Sequence, residues 1–219
     1  MRIKLTSAVL AAALAGPVAA DQTFAYVATL SGAPVGEARV TVAEAADRYL
    51  IFGRAWSTGL ADLFASFRSS FFASGRIVDG TPLVDEYRLS QRDSERSRDL
   101  RVASGRLTEV KDGRVRERAA PPGPDMLTAL FLPGDCASAT GFHTGKHSYQ
   151  LELRSMRPAQ MSDTSSYSGP ATRCEYSVTD DEAERSHATV WLAEVAGLVV
   201  PVRAEFTGGM NAGLYLAAD

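Results

Sequence analysis

Four side chains stand out as candidates for chemistry: Cys136, His143, His147 and Cys174, since thiolate and imidazole can together hold a soft cation such as zinc. Their spacing is loose. His143 falls in a glycine-flanked loop and His147 precedes an alternating segment, so both read as loop histidines without a ligand role. The two thiols have a simpler fate in an exported chain, the disulfide Cys136–Cys174. It would close a loop of about 39 residues and stabilise the fold by up to roughly 4 kcal/mol. No metal and no cofactor is expected.

Nucleophilic and phosphate chemistry find no foothold. A serine hydrolase needs an elbow such as Gly-x-Ser-x-Gly or a Ser-x-x-Lys pair to activate its hydroxyl, and neither pattern occurs. The glycine-rich phosphate loops, the EF-hand loop and His-Glu-x-x-His are missing as well. Paired carboxylates for glycoside cleavage are defined by their separation in space and leave no sequence pattern. The run Asp180-Asp181-Glu182-Ala183-Glu184 reads as an acidic surface loop. These observations point to a protein that is not an enzyme, with an envelope hydrolase of unpatterned active site as the alternative.

The elements that would position any site begin after a leader. Arg2 and Lys4 precede the apolar run Leu5 to Leu14, Gly16-Pro17 interrupts it, and Val18-Ala19-Ala20 has the small residues that a signal peptidase accepts. Residues 1–20 are therefore read as a cleaved signal peptide and residues 21–219 as a single β-rich domain; removing twenty residues from 219 leaves 199. Losing Arg2 and Lys4 takes the formal charge from −3 to −5, which disfavours a nucleic-acid partner. No later stretch is apolar enough to cross a membrane as a helix. At 45% hydrophobic and 22% charged residues, the chain has the composition of an ordinary soluble globular protein with a sizeable core.

Period-two alternation runs through that domain. Gly36, Ala38, Val40 and Val42 alternate with Glu37, Arg39 and Thr41, and the same pattern returns at Tyr149 to Leu153, Cys174 to Thr179 and Leu198 to Phe206. Further strands are predicted at Phe24 to Leu30, Arg48 to Trp56, Phe71 to Val78, Leu83 to Arg92 and Asp99 to Leu107. Others follow at Thr108 to Lys111 with Val115 to Arg118, Ala188 to Ala193 and Leu214 to Ala217. Pro201 lacks an amide hydrogen, so its strand should be an edge or carry a bulge. About ten strands with tight turns between them predict an all-β fold, a curved and mostly antiparallel sheet forming an open barrel or β-spiral.

Two segments switch to helical spacing and predict short helices. One runs from Leu60 through Leu63, Phe64 and Phe67 to Phe71; the other is Asp125 to Leu132, with Asp125 as its cap and Pro133-Gly134 as its stop. Their apolar residues Phe64, Phe67, Phe71, Met126 and Leu130 are the expected lining of any apolar site, although a helix that merely completes the core has the same pattern. The stretch Arg92 to Arg118, with nine basic and six acidic residues of alternating sign, reads as a long solvated hairpin.

Three segments in order resemble the bacterial exported family known as domain of unknown function 3108. They are Tyr26 with Gly32-Ala33-Pro34-Val35-Gly36-Glu37-Ala38, the helix Asp125 to Phe131, and Val190-Trp191-Leu192 leading to Leu198-Val199-Val200-Pro201-Val202-Arg203. Related sequences often place an acidic turn residue before the last strand, where this chain has Ala193-Glu194-Val195-Ala196-Gly197. The resemblance implies a Gram-negative periplasmic protein with a curved antiparallel sheet, and it carries no catalytic residues. The expected function is therefore support of the cell envelope by binding a hydrophobic ligand, such as a lipid, or an envelope partner protein. An interaction module using a strand edge near Pro201 is the remaining alternative.

Overall fold

Alternation of apolar and polar side chains settles most of the chain into one antiparallel sheet. The computed structural model describes residues 21–45, 47–64, 66–132, 135–137, 139–162, 167–208 and 211–217. The segment read as a leader, 1–20, and the helix stop at 133–134 lie outside them. The first half contains β1 (Gln22–Leu30), β2 (Ala33–Glu44), β3 (Arg48–Ser57), α1 (Gly59–Phe64), β4 (Arg68–Val78), β5 (Thr81–Arg92), β6 (Ser97–Ala103), β7 (Arg106–Lys111) and β8 (Arg114–Ala119). The second half contains α2 (Met126–Phe131), β9 (Gly141–His143), β10 (Ser148–Ser162), β11 (Ser168–Asp180), β12 (Arg185–Val195), β13 (Leu198–Thr207) and β14 (Ala212–Leu216).

The fourteen strands form one sheet in the order β8-β7-β6-β5-β4-β3-β2-β1-β14-β13-β12-β11-β10-β9. Every pairing but one joins sequence neighbours. The exception, β1 with β14, seams the first strand to the last through Tyr26↔Leu216 and Ala28↔Leu214. The edges are thus β8 and β9, and no ladder joins them among the described residues. They approach instead through the turn after β9, where Gly145 sits against Leu100 and Leu107 and its carbonyl accepts from Arg118 Nη2 at 2.9 Å. The sheet is an open barrel.

The core of the first half is a row of cross-strand partners. Val42, Ile51, Ala73, Tyr87, Val102 and Leu107 pair in succession across β2 to β7, and every one is buried. Such directly opposed pairs are the unit of sheet stabilisation. Helix α2 packs on this core through Leu127 and Phe131 and is capped as expected: Asp125 Oδ1 accepts from the amides of Leu127 at 2.9 Å and Thr128 at 3.1 Å.

Several expectations are corrected. The strand read as Asp99 to Leu107 is two strands, because Ser104 and Gly105 both adopt positive φ (50° and 72°) and turn the chain tightly between them. The segment around Tyr149 belongs to a strand of 15 residues. The helix expected from Leu60 to Phe71 ends at Phe64. Phe67 is held to Ser57, whose amide donates to the Phe67 carbonyl at 2.9 Å and whose Oγ accepts from the Phe67 amide at 2.9 Å. The chain therefore re-enters the sheet at Arg68 opposite Trp56. Of the two alternatives expected for Pro201, an edge or a bulge, the structure has the bulge. The residue lies inside the sheet, where β12 pairing shifts between Trp191↔Arg203 and Leu192↔Pro201, and this bulge accommodates the missing amide.

Candidate apolar cavity

Helix α2 divides its side chains between two environments. Leu127 and Phe131, four residues apart and so on one face, enter the main core, where the Phe131 ring meets Tyr26 edge-on with centroids 5.8 Å apart. Met126, Ala129 and Leu130 face the other way, into a cavity of about 460 Å³ between the helix and the second half of the sheet. Two cross-strand rows supply much of its floor, Phe206↔Ala188↔Tyr176 and Ser186↔Val178↔Leu151. Phe142 and Tyr149, stacked with centroids 4.9 Å apart, form one wall. Met126 and Phe206 remain 37% and 39% exposed and mark the rim.

The continuation of that wall depends on the cysteines. Cys136 and Cys174 are buried with Cα atoms 5.9 Å apart and their sulfurs at disulfide distance, which ties the loop carrying Ala139 to β11. Tyr176 reinforces the tie by donating from its hydroxyl to the Cys136 carbonyl at 2.9 Å. Burial pushes that hydroxyl's pKa up to about 12, so it stays a donor at neutral pH.

The helix is anchored on the core side by a buried polar cluster. Thr128 Oγ1 donates to Asp125 Oδ2 at 2.7 Å and lies 3.1 Å from the Tyr49 hydroxyl. Burial drives the Asp125 carboxyl above the usual carboxylate range, while the donors from Thr128 and Leu127 pull it back. His143, expected in a loop, sits on β9 instead; it is buried, its amide donates to the Pro124 carbonyl at 3.0 Å, and its Nδ1 accepts from Gly145 N at 3.2 Å. His147 lies at the surface with Nδ1 3.0 Å from Asp181 Oδ1. Among the described residues no three or more His, Cys, Asp or Glu side chains cluster as metal ligands would.

Among the described residues the cavity lining contains no charged side chain, and its polar groups are the hydroxyls of Thr144, Tyr149, Tyr176 and Ser186. Such a surface solvates apolar groups and offers neither a nucleophile with an adjacent base nor an anion cradle. Of the five residues expected to line an apolar site, Met126 and Leu130 border this cavity. Phe71 is on β4 and packs on the main core, with its ring over Gly53. Phe67 borders a shallow charged cleft with Arg92, Asp93 and Arg98. Phe64 is the last residue of α1, and its side chain lies outside the described residues. Alternation had singled out Tyr149, Leu151, Tyr176, Val178 and Phe206 as inward-facing, but nothing local assigns them to one cavity with α2. Phe142 and Ala139 stand in segments without periodicity.

No family model and no curated protein matches the chain. The resemblance to domain of unknown function 3108 thus rests on its three segments alone. The fold has a solved counterpart. The crystal structure of a β-barrel-like protein of domain of unknown function DUF1849 from Brucella abortus is similar with a TM-score of 0.51, over 92% of this chain and 97% of that one. At 9% identity this likeness is one of fold, and it puts the chain beside an uncharacterised β-barrel-like domain.

Proposed function

We propose that this protein is an exported, non-enzymatic carrier or sensor of an uncharged apolar ligand, held between α2 and the second half of the sheet, in support of the cell envelope. The observation that carries the reading is the cavity of about 460 Å³ whose lining has no charged side chain among the described residues. That volume falls within the roughly 300–1,000 Å³ of small-molecule sites. The exposed rim residues Met126 and Phe206 suit a path by which an acyl chain enters without crossing charge. The leader at residues 1–20 and the paired cysteines favour the periplasm, as does the resemblance to domain of unknown function 3108.

The test uses the neutral apolar fluorophore N-phenyl-1-naphthylamine. Wild-type protein should enhance its emission saturably, and Ala188→Trp, which fills the cavity from its floor, should weaken binding at least tenfold. Phe67→Ala, away from the cavity, should leave binding unchanged. Equal binding by wild type and Ala188→Trp overturns the reading. For the compartment, the N-terminus of protein recovered from the periplasm should be Asp21.

A further inference from the structure

We propose that the edge strand β8 is a docking site for an extended acidic segment of a partner protein, added to the sheet as a further antiparallel strand. All six residues of β8 are exposed on both faces, Val115 to 64%, and among the described residues β7 is the only strand paired with it. Asp112 and Gly113 have positive φ (49° and 78°), so a two-residue turn closes the hairpin on a hydrogen-bonded Lys111↔Arg114 pair. Bonded and non-bonded pairs then alternate along the ladder. The amide of Ala120 donating to the Gly105 carbonyl at 2.9 Å fits that phase. The N–H and C=O groups of Val115, Glu117 and Ala119 consequently point outward, three donors and three acceptors in a row.

Charge selects the occupant. Arg114, Arg116 and Arg118 share one face of the strand. Arg118 is engaged with the Gly145 carbonyl, whereas the side chains of Arg114, Arg116 and Lys111 have no ion-pair or hydrogen-bond partner among the described residues. A depression of about 340 Å³ borders these cations; its two acids are already committed, Glu109 to Arg98 at 2.6 Å and Asp112 to the Ser97 amide at 3.1 Å. On the other face Glu117 pairs with Arg106 at 3.5 Å, beside the small or apolar Ala119 and Val115. The complementary strand has Asp or Glu at alternate positions against the arginines and small uncharged residues between them. A second copy of this chain is a poor occupant. Two-fold antiparallel pairing of β8 with itself keeps like faces together and sets arginine opposite arginine, which is destabilising. Cations on an edge also deter self-association, and the same cations attract an acidic strand.

The experiment titrates a fluorescein-labelled peptide alternating Glu and Thr onto the intact protein and follows its anisotropy and the backbone amide resonances. Binding that shifts the Val115, Glu117 and Ala119 amides supports the proposal. Support also requires binding to fall at least tenfold in both Arg114→Glu/Arg116→Glu and Val115→Pro. Val115→Pro removes an outward donor and leaves the β7 ladder intact, so it should fold as wild type does. Undiminished binding by Val115→Pro, with loss only on charge reversal, shows bare electrostatic attraction and overturns strand addition. Binding to vesicles of anionic phospholipid in place of the peptide, or to a Lys-Thr peptide equally well, overturns it too.

Discussion

The Tyr176 hydroxyl donates to the carbonyl of Cys136 at 2.9 Å, and through this bond a residue of the cavity floor holds the loop that walls the cavity. Tyr176 is paired with Ala188, and Cys174, two residues before it, is covalently tied to Cys136. Sheet, disulfide and hydrogen bond therefore fix one wall at three points. The other wall, α2, is fixed by its cap and by Leu127 and Phe131 in the main core. The volume between them is a product of two independent anchors.

Removing the first anchor should lower both stability and affinity. A cross-link with a sequence separation of 38 contributes up to about 4 kcal/mol on the chain-entropy account. The double variant Cys136→Ser/Cys174→Ser should lower the urea midpoint and weaken N-phenyl-1-naphthylamine binding several-fold. Tyr176→Phe should do the same more mildly, by about 1–3 kcal/mol, since it strands a buried carbonyl. Equilibrium unfolding with and without reductant checks this: reductant should move wild type towards the double variant and leave the double variant unmoved.

The second anchor is tested at Asp125. Alanine there removes the acceptor for two amides and the Thr128 hydroxyl, all buried. Loss of a cap costs about 1 kcal/mol, and each orphaned buried donor adds to it, so Asp125→Ala should destabilise by at least 2 kcal/mol. Asp125→Asn keeps an oxygen for the helix amides and should recover part of the loss. Urea midpoints for the three proteins give the ordering directly.

How far the sequence is legible follows from which interactions are local. The cap of α2 is local, and Asp125 with the prolines before it places the helix to within a residue. Strand alternation is also local, and it marks Tyr149, Tyr176 and Val178 as inward. Phe64, Phe67 and Phe71 show where local reading fails: spacings of three and four residues mimic a helix, yet pairing of Trp56 with Arg68 takes Phe67 and Phe71 out of it. The β1 to β14 seam, which decides that Leu214 shares a cavity with α2, leaves no trace in either strand alone. The edge position of β8 likewise follows only from the complete strand order.

Gly75 offers a packing test remote from the cavity. It sits where the β4 and β5 register shifts, and a Cβ there would collide with the Leu83 carbonyl and the Tyr49 ring. Gly75→Ala should therefore destabilise by about 1–3 kcal/mol, the usual cost of overpacking. Because Tyr49 bonds Thr128 beneath α2, its displacement should also shift the Thr128 amide resonance, a long-range effect that plain strand weakening does not produce.

His143 makes stability depend on pH. The residue is 1% exposed, its ring makes a T-shaped contact with that of Tyr87, and its Nδ1 accepts a hydrogen bond from Gly145, so the folded ring is neutral with its proton on Nε2. Burial holds its pKa below the ordinary value. The unfolded ring titrates near pH ~6.5, so below that pH the unfolded chain binds a proton that the folded chain refuses. This contribution is fully present above about pH 6.5 and is lost as the pH falls towards the lower folded value. Asp125, the nearest buried acid, has the opposite sign: its pKa is raised on folding, so its share is present in acid and is lost as the pH rises through the folded value. Between pH 7.5 and 5.5 the urea midpoint of wild type should fall, and His143→Gln, whose side-chain oxygen can still accept from Gly145, should flatten that slope. An equal slope in the two proteins would refute the assignment of this acid sensitivity to His143.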